Sequence, residues 1–138
     1  MRASGIFTVH AFVPADPAPV PPPPPVDTAL PVGVSTMEKR YEGEVTGRST
    51  TLLTGAYDPA TQSGTYVAME SFEGTLNGRS GTFNFAHSKS SLGPRVSDEF
   101  FVLVPGSGTG ELAGISGSGE LVVEEDGTHR IRFAYELG

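Results

Sequence analysis

Asn77-Gly78 lies between two alternating runs, ESFEGTL and RSGTFNF, and constrains what this chain can fold into more than any other dipeptide in it. A two-residue type I′ turn needs positive φ at both centres, which Asn and Gly adopt at least cost. That turn sets Leu76 opposite Arg79, so cross-strand partners carry numbers that sum to 155. Phe72 then pairs with Phe83, Glu70 with Phe85 and Ala68 with His87. Period-two geometry puts Ala68, Glu70, Phe72, Gly74 and Leu76 on one face beside Gly81, Phe83, Phe85 and His87. Val67, Met69, Ser71, Glu73 and Thr75 share the other face with Thr82, Asn84, Ala86 and Ser88. A carboxylate and an imidazole therefore stand diagonally across one ladder, among aromatic rings and within each other's reach.

The rest of the chain reads as further strands and turns. Ser4 to Val13 alternates and forms a first strand. Pro14 to Pro31, with five consecutive prolines at Pro21 to Pro25, offers a sheet few donors and favours an extended polyproline strap. Ser35 to Thr46 predicts a long strand with Glu38, Arg40, Glu42 and Glu44 on one face and Met37, Lys39, Tyr41, Gly43 and Val45 on the other, turning at Gly47 into Arg48 to Tyr57. Beyond the central hairpin, Val96 to Val104 is a strand, and the glycine-rich Pro105 to Ser118 is a tight loop with one helical turn near Glu111 to Gly114. Gly119 to Glu124 and Thr128 to Leu137 close the chain, joined by a second hairpin dipeptide, Asp126-Gly127. In the last strand Ile131, Phe133, Tyr135 and Leu137 share a face with His129.

Eight strands with mostly short connections suit a barrel or a sandwich. Closure removes sheet edges, so the expected fold is all-β: one domain over 1–138, an eight-stranded antiparallel up-and-down barrel whose lumen is either filled or holds one small ligand. The 138 residues, 37% hydrophobic, suffice for one modest core. A net charge of -7 repels a phosphate backbone, which excludes nucleic acid as a partner. No apolar run approaches the roughly 18 to 20 residues that span a bilayer, so no membrane partner is expected. In MRASGIFTVHAFVPA, Thr8 and His10 interrupt the apolar run, which reads as a strand and not as a secretory leader. With Cys 0 there is no disulfide framework, thiolate nucleophile or cysteine zinc site, a composition that suits the cytoplasm. Gly106, Gly108 and Gly110 lack the lysine and spacing of a phosphate loop, and no G-x-S-x-G elbow is present.

The runs ASGIFTV, YEGEVTGRS, ESFEGTLNGRSGTFNFAH and above all VPGSGTGELAGISGSG resemble a bacterial family of uncharacterised domains with an allene oxide cyclase-like β-barrel, over Ala3 to about Phe133. The resemblance implies an eight-stranded barrel, often a homo-oligomer, with distant kinship to allene oxide cyclases and dirigent proteins, which guide ring closure or coupling of small apolar molecules. The Glu of the family's E-x-F-E-G run and the His that closes the next strand are Glu70 and His87 here. Ser71 stands where an Arg is expected, and the proline strap replaces a polar first loop. An apolar strap over a barrel mouth suits a hydrophobic substrate.

Glu70 and His87 are the candidate catalytic pair, since desolvation and a neighbouring imidazole move a carboxyl toward proton chemistry. Tyr41, Tyr66, Phe72, Phe83, Phe85, Phe100, Phe133 and Tyr135 are candidate ligand contacts. No cofactor is expected, and no closed metal site; an open one would need Glu70, His87 and a third group such as His10. Three readings follow: a cofactor-independent cyclase or isomerase acting on a small apolar, polyketide-like molecule; a hydrophobic-ligand carrier; or a structural barrel whose lumen Phe72, Phe83, Phe85, Phe100 and Phe133 fill. The register beyond the central hairpin leaves open which of Phe100 and Phe101 faces inward.

Overall fold

A computed structural model describes residues 1–14, 21 and 23–138. They form strands β1 (Arg2–Pro14), β2 (Val32–Gly43), β3 (Val45–Asp58), β4 (Ser63–Leu76), β5 (Arg79–Leu92), β6 (Arg95–Leu103), β7 (Ser116–Val123) and β8 (His129–Glu136), with a 3₁₀ turn at Gly110–Leu112. Strands β1 to β6 pair in chain order, β1 pairs β8, and β8 pairs β7. This is the expected antiparallel up-and-down barrel, with every neighbouring pair laddered except β6 and β7, which lie side by side without a ladder.

Asn77 and Gly78 have φ of 50° and 81°, as the type I′ turn requires. The register of β4 and β5 follows the predicted sum from Leu76 opposite Arg79 to Ser63 opposite Leu92. Elsewhere the turn falls differently. The chain reverses at Gly43 and Glu44, with φ of 110° at Gly43, so β2 ends there and Val45 begins β3. Gly47, expected to make that turn, lies within β3 opposite Tyr41 and Gly74. A Cβ at Gly47 would come 2.2 Å from the carbonyl oxygen of Glu73, so the glycine serves close strand approach.

A long connection accompanies the seam between β6 and β7. These strands are joined by the glycine-rich run from Val104 to Ile115, which crosses the end of the barrel where β4 turns into β5. There Thr109 donates its N–H to the Thr82 carbonyl at 2.9 Å, and Leu112 and Ile115 are buried as a plug. Gly81 receives the plug: a Cβ on it would lie 2.1 Å from the Thr109 carbonyl oxygen.

Above the plug, the inward faces pack Val45, Phe72, Leu76, Phe83, Phe85, Leu103, Ile131, Phe133 and Tyr135 into one cluster. Phe83 and Phe85 stand edge-on to Phe133 at centroid distances of 5.6 and 5.5 Å, a favourable aromatic geometry. Phe101 pairs with His87 and Phe100 with Ser88, so Phe101 turns inward and stacks on Phe85 at 5.1 Å. Phe100 belongs to the outer face and is 53% exposed, which removes it from the predicted lumen packing.

Toward the opposite end Gly33, Ser35, Gly55, Gly64 and Ser91 intersperse the larger wall residues, and the lumen opens as a cleft of about 490 Å³. The proline strap expected over 14–31 lies partly outside the described residues; Pro14 ends β1, and Pro31 stands at the cleft.

Candidate functional site

Glu70 sits at the boundary between the packed and open parts of the lumen and is fully buried. Its Oε2 accepts from Lys39 Nζ at 2.7 Å and from His87 Nε2 at 2.5 Å. Its Oε1 accepts from Ser49 Oγ at 2.8 Å and from the Tyr41 hydroxyl at 3.1 Å. Four strands contribute: Lys39 and Tyr41 from β2, Ser49 from β3, Glu70 from β4 and His87 from β5. The predicted diagonal pair is thus assembled, with a lysine that makes it an ion-paired triad. Lys39 Nζ also stands 4.8 Å from the centre of the Phe7 ring, an arrangement that favours the cation.

The electrostatics follow from these contacts. Burial by itself drives the Glu70 carboxyl up, but the hydrogen bond from His87 and the charge of Lys39 outweigh it and hold the pKa at about 2. An ionised carboxylate only accepts hydrogen bonds, so His87 donates through Nε2. In the neutral ring Nδ1 is then the acceptor, and the Tyr66 hydroxyl lies 3.0 Å from it. Burial first, then the negative charges of Glu70 and Glu99, push the Tyr66 phenol up to about 12. Tyr41 is raised well above its ordinary value, again by burial and then by the Glu70 charge. Thr51 Oγ1, on the residue cross-strand from Glu70, is buried without a hydrogen-bond partner among the described residues.

Of the predicted contacts, Tyr66 lines the open cleft, together with Phe12, Leu53, Tyr57 and Lys89. It also lines a second hollow of about 50 Å³ at the β6–β7 seam, bounded by His87, Glu99, Phe100, Phe101 and Gly119. Phe72, Phe83, Phe85, Phe133 and Tyr135 belong to the packed part of the lumen and Tyr41 to the Glu70 network. His10 stands exposed at the β1 bulge, so it does not complete a metal set with Glu70 and His87; Lys39 occupies Glu70's remaining flank. Among the described residues no three His, Asp or Glu side chains converge on a metal position.

Sequence reasoning passed over Lys39, Ser49 and Thr51. The signal was present for Lys39: it alternates with Met37 and Tyr41, on the face opposite Glu38, Arg40, Glu42 and Glu44. A lysine committed to an inward face requires a buried anion, and Glu70 is the inward carboxylate of the central hairpin.

Fold and site define a small antiparallel barrel with a half-open lumen and a buried acid–base layer across its middle. The chain matches, over residues 3–135, the family described as proteins of unknown function (DUF3224), and belongs to it. It is similar to a crystal structure of a protein of unknown function from the DUF3224 family of Shewanella oneidensis MR-1, at 26% identity and a TM-score of 0.84, covering 100% of this chain and 97% of that one. No curated protein matches the chain. No helix among the described residues is long and apolar enough to cross a membrane.

Proposed function

We propose that the cleft binds a small apolar molecule and that Tyr66, His87 and Glu70 move a proton on it, making the protein an isomerase or cyclase of the kind suggested by allene oxide cyclase-like barrels. The observation that carries this reading is the hydrogen-bonded line from Tyr66, a residue of the cleft wall, through both ring nitrogens of His87 to the buried Glu70 carboxylate.

In the forward step a proton leaves a substrate carbon or hydroxyl for Tyr66 Oη, while the phenol proton passes to His87 Nδ1. The imidazolium so formed is held by the Glu70 carboxylate, which keeps its charge. Reversal delivers a proton to a second substrate atom, and no net proton is gained or lost. Because burial and the nearby carboxylates raise its pKa to about 12, the phenol rests protonated and gives its proton to His87 as it takes one from the substrate. Confinement in the cleft supplies orientation, and with it much of the rate. A fold does not dictate a function, and the proposal rests on this line of groups.

The test is native mass spectrometry of the purified protein with extraction of any retained compound, followed by turnover of that compound in D₂O. Solvent deuterium should enter the product, and Tyr66→Phe should lower turnover by about 10²-fold or more while binding persists. Binding without turnover would leave the carrier reading. The absence of both a retained compound and a thermal shift with apolar probes would sink the proposal.

A further inference from the structure

The cleft wall carries one charge among the described residues. Its lining is otherwise aromatic, aliphatic or small and neutral, and the exception is Lys89. Lys89 lies directly across the β4–β5 ladder from Tyr66, and both residues line the cleft. Its ion-pair partner, Glu99, stands 3.8 Å away and half exposed, and lines with Lys89 the hollow at the β6–β7 seam, whereas only Lys89 also lines the cleft. A pair that long and solvated contributes little, so the ammonium can exchange it for an anion in the cleft that Lys89 also lines. Lys39, by contrast, is spent on Glu70.

Resting on the reading of the cleft as an apolar site, we infer that Lys89 selects ligands bearing a single carboxylate. The ligand class is a small apolar acid whose hydrocarbon part lies against Phe12, Leu53 and Tyr57 and whose head meets Lys89, which sets the adjoining carbons beside Tyr66. A lone ammonium suits a monoanion, because a second ligand charge would meet no cation in the cleft wall. The charge-assisted hydrogen bond forms in a wall of low polarity, where it outweighs the loose contact to Glu99.

The experiment compares 11-(dansylamino)undecanoic acid with its methyl ester, followed by dansyl fluorescence at pH 7 and low salt. The acid should bind about tenfold more tightly than the ester. Lys89→Met should remove that preference, acid and ester then binding alike, and Lys89→Arg should retain it. On the wild-type protein, raising salt should weaken the acid and leave the ester unmoved, which tests the inference even if the variants fold poorly. Equal binding of acid and ester to the wild type overturns the role of Lys89 and leaves the apolar cleft standing. Failure of both probes to bind overturns the cleft reading, and the inference with it.

Discussion

Below the Glu70 layer β4, β5 and β8 turn Leu76, Phe72, Phe83, Phe85 and Phe133 inward against a plug made by Leu112 and Ile115; above it β2 to β5 bring Gly33, Ser35, Gly55, Gly64 and Ser91 between larger wall residues such as Leu53 and Tyr66, and the lumen stands open. Backbone geometry is shared by the two halves, so side-chain size at alternate positions decides which half is filled. The polar layer gains from both. Packing beneath excludes water from the Lys39–Glu70 pair, while Tyr66 carries the hydrogen-bonded line up to the cleft wall.

The largest effect expected from this contrast comes from truncation. Phe85→Ala should cost about 3–5 kcal/mol in urea unfolding, because the rings around it cannot collapse onto the void. Leu53→Ala, on the wall of the open half, should cost about 1 kcal/mol or less. Similar costs at the two sites would mean that the upper half is packed as well.

Next comes the boundary itself. Glu70→Gln leaves the Lys39 charge buried without its partner and should cost about 3–5 kcal/mol. The same carboxylate predicts an acid limb. Its pKa is about 2 in the folded chain against 4.5 for an unperturbed Glu, so its contribution is complete above pH 4.5 and is lost as pH falls toward 2. The loss should amount to about 3 kcal/mol over that window, and Glu70→Gln should lack it. Parallel acid profiles for the two proteins would place the titrating group elsewhere.

One substitution made at both ends sharpens the comparison further. Gly81→Ala drives a methyl into the Thr109 carbonyl and should cost about 2 kcal/mol. Gly33→Ala meets nothing within 4 Å, and Gly55→Ala meets only ordinary contacts at 3.7 Å and beyond, so each should change stability by about 0.5 kcal/mol at most. A last substitution should act with the opposite sign. Thr51→Val replaces an unpartnered buried hydroxyl by a methyl and should stabilise by about 1 kcal/mol; destabilisation would show that the hydroxyl has a partner in solution.

The central hairpin is legible because its turn dipeptide fixes register, and register with period two assigns every side chain on β4 and β5 to a face. That is why the residue order alone pairs Glu70 with His87 and places Phe72, Phe83 and Phe85 inside, as the fold bears out. The last strand, from His129 to Glu136, is readable for the same reason, since its alternation has no bulge to interrupt it. The β6 assignment is not: the β5–β6 ladder slips between Ser88 and Ser90, and such a slip changes the side to which a residue points. Phe100 therefore faces out where lumen packing was expected.

Local chemistry in the sequence is enough to determine the strands, the principal turns and the facing of the central hairpin, because those depend on neighbours within a few residues. Only the tertiary structure could decide that Ser49 and Tyr41 join Lys39 on Glu70, that the run from Val104 to Ile115 plugs one end, and that the other end stays open. Each of these is a meeting of segments far apart in the chain, and alternation along one strand carries no information about which strand will stand opposite across the lumen.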